Sequence, residues 1–177
     1  MSELEPSRKS IVMAHPVVRS AIDTLIERFE QGDYNPTPII DLGVLVANAD
    51  GAPDEEEIET LLQIFQTLFG ATLSKAMVGY LIDASLEVAL AAGTESRVRL
   101  IAEILNDCDA VEAGIIVALA VAYSSEGLST AERGVIDAVA RAAGLSTNLL
   151  DALVESVRAS LAPSSPAPAS AKRSASA

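Results

Sequence analysis

From residue 16 onward, apolar side chains recur every three or four positions, in segments broken by Gly, Pro, Asn or Asp. That spacing places them on one face of a helix and predicts helices throughout. Pro16 suits the first turn of a helix running to about Gln31, with Val18, Ile22, Leu25, Ile26 and Phe29 on its apolar face. After the turn GDYNPTP, a second helix is expected from about Thr37 to Ala49, apolar nearly all round. Gly51 and Pro53 interrupt it. A third runs from about Asp54 to Phe69, with Ile58, Leu61, Leu62, Phe65 and Leu68 as its expected buried face and Gly70 as its stop signal. A fourth spans about Thr72 to Ala92 and ends at Gly93.

The plan then recurs. Thr94 is the expected cap of a fifth helix carrying Val98, Ile101 and Leu105, and a sixth, from about Ala110 to Ser124, contains the apolar run AGIIVALAVAY. A seventh follows from about Ser129 to Ala143, closed by Gly144, and an eighth starts at Ser146 and stops before Pro163. VRSAIDTL at 18 parallels VRLIAEIL at 98, and VLVANADGAPDEEEIE at 44 parallels ALAVAYSSEGLSTAER at 118. The expected fold is therefore all-α, a compact domain of about eight helices in two similar four-helix halves (16–92 and 94–160). The two nearly continuous apolar helices should pack together near the middle, since neither half alone can bury its own. The helical domain fills 15–161, between a flexible N-terminal arm (1–14) and a disordered Pro/Ser/Ala tail (162–177).

Composition agrees with helices: half the 177 residues are apolar, mostly Ala, Leu, Val and Ile, and only 3% are aromatic. Charge adds more. The net charge is −13, and the segment 10–160 alone carries 23 acids against 8 bases, while Arg8, Lys9, Lys172 and Arg173 lie outside it. Such a surface repels phosphate backbones and anionic lipid, which argues against nucleic-acid partners and favours cations or a basic protein partner. Self-association into a homo-oligomer is compatible with the sequence. The longest apolar run has eleven residues (113–123), too short to cross a bilayer, so no membrane insertion is expected. A lone Cys108 and no apolar leader-like stretch at the N-terminus point to a reducing, cytoplasmic setting.

The candidate chemistry lies in NADGAPDEEEIETL (48–61), where Asp50, Asp54, Glu55, Glu56, Glu57 and Glu59 fall together without a base. With Gly51 as the turn glycine of an EF-hand loop, Asn48, Asp50, Asp54 and Glu57 take ligand positions, but Val46 and Pro53 occupy positions that an EF-hand does not give them. An ordinary EF-hand is excluded. Helix-start chemistry explains several of the acids without a ligand: acids in a first turn complement the helix dipole at about 0.3 to 1 kcal/mol each. Asp54 with Glu57 also has the spacing of a capping box. The second loop, SSEGLSTAER, keeps Glu126 and Glu132. If a pseudo-twofold axis relates the halves, the loops approach one another. Asp50, Asp54, Glu56, Glu57, Glu126 and Glu132 then form the candidate ligand set for a hard divalent ion, Ca²⁺, Mg²⁺ or Mn²⁺ before Zn²⁺.

An apolar helix ending in A-x-A-D-G, followed by a short break and a Glu-rich helix, resembles the TerB-like family of tellurite-resistance and chemical-stress proteins, a module also found near the N-terminus of some DnaJ co-chaperones. Ala47, Ala49, Asp50, Gly51, Glu56 and Glu57 carry the resemblance, with an echo at Glu126, Gly127 and Glu132, and it extends over roughly 16–160. It implies an all-helical domain with an internal repeat, whose acidic residues bind metal. Ser125-Glu126 stands where an Asp-Gly pair is typical, a departure that bears on a symmetric two-loop site.

No catalytic signature appears: there is no Walker A loop, G-x-S-x-G, H-E-x-x-H or Glu-x-x-His pair, so no enzyme is expected. Two readings follow. One is a stress-response module binding a divalent cation at the acidic loops. The other is a non-enzymatic helical scaffold offering an acidic face to basic partners, with no physiological metal.

Overall fold

A computed structural model describes residues 15–69, 73–125 and 127–161. They form eight α-helices: α1 (Pro16–Gln31), α2 (Thr37–Ala47), α3 (Glu55–Phe69), α4 (Lys75–Ala92), α5 (Thr94–Asp107), α6 (Val111–Ala122), α7 (Thr130–Ala142) and α8 (Thr147–Leu161). The N-terminal arm, the Gly70 stop signal, Thr72, Glu126 and the tail with Lys172 and Arg173 lie outside the described residues.

Local chemistry sets most helix ends. Pro16 opens α1, and Nδ1 of His15 accepts from the Val17 N–H at 3.3 Å. Ser74 starts α4 by accepting from the Met77 N–H. The fifth helix is capped by Gly93 rather than Thr94, which is its first residue. Gly93 sits at φ 83, so one left-handed glycine both ends α4 and begins α5, leaving no position for a separate cap.

The two apolar helices meet as expected: α2 packs against α6, and both are buried along almost their whole length. Two further large contacts cross between the halves. Helix α1 of the first half lies on α6 of the second, and α5 lies on α2. Within each half, equivalent pairs also pack: α4 on α2 and α8 on α6, α3 on α1 and α7 on α5. Each half thus covers the other's most apolar helix, and one core runs through both, with Phe65, Leu25, Leu42, Ile101, Leu119 and Ile136 all fully buried. At two crossings glycine lets helices approach closely: a Cβ on Gly43 would meet Leu61 Cδ2 at 2.6 Å, and one on Gly114 would meet Leu105 at 2.9 Å, so the leucine side chain would have to shift.

Helix α2 is not wholly apolar inside. Asp41 is buried, paired with Arg97 of α5, and accepts from Ser85 Oγ of α4 at 2.7 Å. Three helices are pinned there by one carboxylate. The pairing makes its burial tolerable, and removal of Arg97 would leave the charge stranded.

Candidate metal centre

Both acidic turns build the same device. In the first, Asp54 Oδ1 accepts from the backbone N–H groups of Glu56 and Glu57, each at 2.8 Å, while Glu57 Oε2 accepts from the Asp54 N–H at 2.9 Å. In the second, Ser129 Oγ accepts from the Glu132 N–H at 3.2 Å, and Glu132 Oε2 accepts from the Ser129 N–H at 2.7 Å. These are reciprocal capping boxes, as the spacing anticipated for Asp54 and Glu57, and Ser129 rather than Thr130 is the cap of α7.

Their burial is what the sequence reading missed. Glu57 is 5% exposed and Glu132 2%. The expected buried face of α3 has turned: Ile58, Leu62 and Leu68 are only partly covered, whereas Glu57, Thr60, Leu61, Ile64 and Phe65 point inward. A signal was present. Glu57, Leu61 and Ile64 have helical one-face spacing, and Glu132, Ile136 and Val139 repeat it at a constant shift of 75 residues. Each glutamate is the first residue of its helix's inward stripe.

Burial has an electrostatic cost. Loss of hydration is the largest influence on the Glu57 carboxyl. The capping N–H of Asp54 lowers its pKa, the charges of Asp54, Glu132 and Asp50 raise it, and the result is pushed up from 4.5 to about 7. Glu132 is also raised, first by burial, against the hydrogen bonds from Ser129 and with the charges of Asp50 and Asp54. Glu132 uses Oε2 for its cap, but its buried Oε1 has no hydrogen-bond partner among the described residues. An orphaned carboxylate oxygen inside a protein is costly and uncommon. Thr60 Oγ1, one turn after Glu57 on the same helix, is the other such atom.

The fold therefore brings four of the six candidate ligands, Asp50, Asp54, Glu57 and Glu132, within each other's electrostatic reach, across both halves. Asp50 and Asp54 are exposed at the rim, and Glu57 and Glu132 are buried beneath. Glu56 gives its backbone N–H to the cap, and its carboxylate is not among the charges that bear on the buried pair. Glu126 lies outside the described residues. Among the described residues, no three acidic side chains already stand close enough to grip a metal ion. The donor set nonetheless suits a hard cation: all oxygens, one of them buried and unpaired.

An all-helical domain of two like halves with paired glutamate caps is the class that these features define. The model of the family described as tellurite resistance protein TerB matches residues 37–154, and the chain belongs to this family. The match begins at α2, so α1, which covers α6, lies before it. No curated protein and no solved structure matches the chain. Among the described residues, no single helix is long and apolar enough to cross a membrane.

Proposed function

We propose that this TerB-family domain is a non-catalytic module that takes up a divalent cation at the twin caps, in a cytoplasmic response to chemical stress of the tellurite-resistance kind. The stress role is supported by the family's description. The cation reading is carried by one observation: the buried, unpartnered Oε1 of Glu132, set among the charges of Asp50 and Asp54. A doubly charged ion satisfies that oxygen and stabilises the ionised form of the two glutamates, whose carboxyls are raised first by burial and then by the neighbouring acids. The ligands would be Glu132 and Glu57 from below and the exposed Asp50 and Asp54 from the rim. Oxygen donors favour Ca²⁺, Mg²⁺ or Mn²⁺. Uptake near neutral pH should release a proton, because the Glu57 carboxyl, pushed up to about 7, must ionise.

Titration calorimetry in two buffers of different ionisation enthalpy, with thermal melts, tests this reading. Binding with proton release, lost in Glu132→Gln with the fold retained, is the expected result. No heat and no stabilisation up to millimolar Ca²⁺, Mg²⁺ and Mn²⁺ would overturn it. The stress role is tested separately, by whether the chain raises tellurite tolerance in a sensitive host and whether Glu132→Gln removes the effect.

A further inference from the structure

Helix α4 and its counterpart α8 occupy matching places, α4 on α2 and α8 on α6, yet their outer faces differ. On α8 the exposed positions include Asn148, Asp151, Glu155, Ser156 and Arg158. On α4 the inward stripe is Val78, Ile82, Ser85 and Ala89, and a second apolar stripe faces out. Met77, Leu81, Ala84, Val88 and Ala91 follow one another at steps of four, three, four and three residues, all exposed except the half-buried Leu81. Tyr80 beside them is 75% exposed. The fold does not demand this surface, because the same position in the other half does without it.

Toward its start the stripe deepens into an apolar groove of about 500 Å³, walled by Phe69 and Leu73 with Met77, Tyr80 and Leu81. Along its other border run Asp83 and Glu87, one helical turn apart and both exposed, with no hydrogen bond or ion pair among the described residues. The one base on α4, Lys75, is engaged by Glu55 at 3.5 Å. The surface is thus an apolar helix-spaced stripe with an uncompensated acidic edge.

We infer that the outer face of α4 is a docking site for an amphipathic helix of a partner protein, one that carries an apolar stripe flanked by Lys or Arg. Steps of four and three are the spacing at which one helix receives the side chains of another. The acidic edge selects the partner's charge and speeds its approach. A second copy of the chain is disfavoured, because it would bring its own Asp83 and Glu87 to the same interface within a molecule of net charge −13. Anionic lipid is repelled for the same reason. The inference stands independently of the cation reading, since none of these residues touches the twin caps.

The probe is a synthetic helix of about 20 residues with Leu on one stripe and Lys on its flanks, alongside a twin with Glu replacing Lys. Binding to the full chain is followed by fluorescence anisotropy. The basic peptide is expected to bind and the acidic twin to fail. Tyr80→Ser with Val88→Ser, both at exposed sites, should weaken binding about tenfold or more with an unchanged melting temperature. Asp83→Asn with Glu87→Gln should weaken it about three- to fivefold in low salt, a difference that shrinks in high salt. Asp23→Asn with Glu27→Gln removes the same charge from the outer face of α1 and should change affinity less than about twofold. An equal loss in that control would reduce the effect to overall acidity and overturn the inference. So would undiminished binding to the Tyr80/Val88 variant. A wild-type dimer that the same variant converts to monomer would assign the face to a second copy. Co-sedimentation of the wild type alone with phosphatidylcholine/phosphatidylglycerol vesicles would assign it to a membrane.

Discussion

The two acidic turns share a backbone device and differ in charge. At the start of α3 the cap is Asp54, and Asp50 stands before it. At the start of α7 the cap is Ser129, and Ser125 holds the place of Asp50. Hydroxyl and carboxylate do the same work for the helix, accepting from the N–H at the third position, and in both turns a glutamate returns the bond. The repeat has kept the hydrogen bonds and let the charge vary. The difference falls where it matters for a ligand: the Ser-capped half supplies the more deeply buried glutamate and its unpaired oxygen, and the Asp-capped half supplies the acids that surround it. Capping accounts for why Glu57 and Glu132 exist. It does not account for a second carboxylate oxygen held out of water.

The largest effect tests whether the halves are comparable at all. Leu61 and Ile136 are equivalent across the repeat and fully buried. Leu61→Ala and Ile136→Ala should each cost about 3 kcal/mol, a fall of roughly 9 °C in melting temperature. Because each half covers the other's apolar helix, both variants should melt in a single transition. Two separated transitions in calorimetry would show that the halves fold independently, against the shared core.

Next comes the cation. At about a hundred times its dissociation constant, a bound ion adds about 2.7 kcal/mol, roughly 8 °C. Glu132→Gln should abolish that gain, as should Asp50→Asn combined with Glu57→Gln. If only the first-loop variant matters, the site is local to one turn and the second half contributes nothing.

A smaller effect follows from the Glu57 carboxyl at about 7. Folded Glu57 keeps a proton that the unfolded chain gives up near its ordinary value of 4.5, so more protons are bound in the folded state between these pH values. Stability contributed at this site therefore falls as pH rises from about 4.5 to 7 and levels off above. Asp50, Asp54 and Glu132 face the group and deepen the fall. Glu57→Gln keeps an acceptor for the Asp54 N–H without the charge. In metal-free buffer it should melt about 3 °C above the wild type at pH 8 and level with it at pH 5. A gain of the same size at both pH values would mean that charge is not the cause.

The smallest change converts one turn into the other. Ser129→Asp preserves the cap and should alter metal-free stability by less than about 0.5 kcal/mol. It also places a further acid beside Glu132, so cation affinity should rise severalfold. Ser129→Ala, which removes the cap, should cost about 1 kcal/mol.

The all-helical class, the eight helices, the two halves and the pairing of α2 with α6 were legible along the chain, as was the cap of α3. Each depends on periodicity or on bonds between residues three or four positions apart, and such interactions follow from order along the sequence. The same proximity made the acids around Asp54 readable as helix-start chemistry. What could not be read was which of those acids turned inward. Ile58 and Leu62 looked like the buried face, and Glu57 was readable both as a first-turn capping acid and as a candidate ligand. The packing of α1, α2, α4 and α6 against α3 decides that Glu57, Thr60 and Leu61 face inside. The meeting of Glu57 with Glu132, the pinning of three helices by Asp41, and the bare apolar face of α4 are likewise results of packing between distant segments. Sequence fixes what each helix offers on its several faces. The tertiary structure decides which face is spent on the core, because burial is settled by the summed surface of all eight helices, and for a glutamate at the edge of an apolar stripe the local pattern permits either outcome.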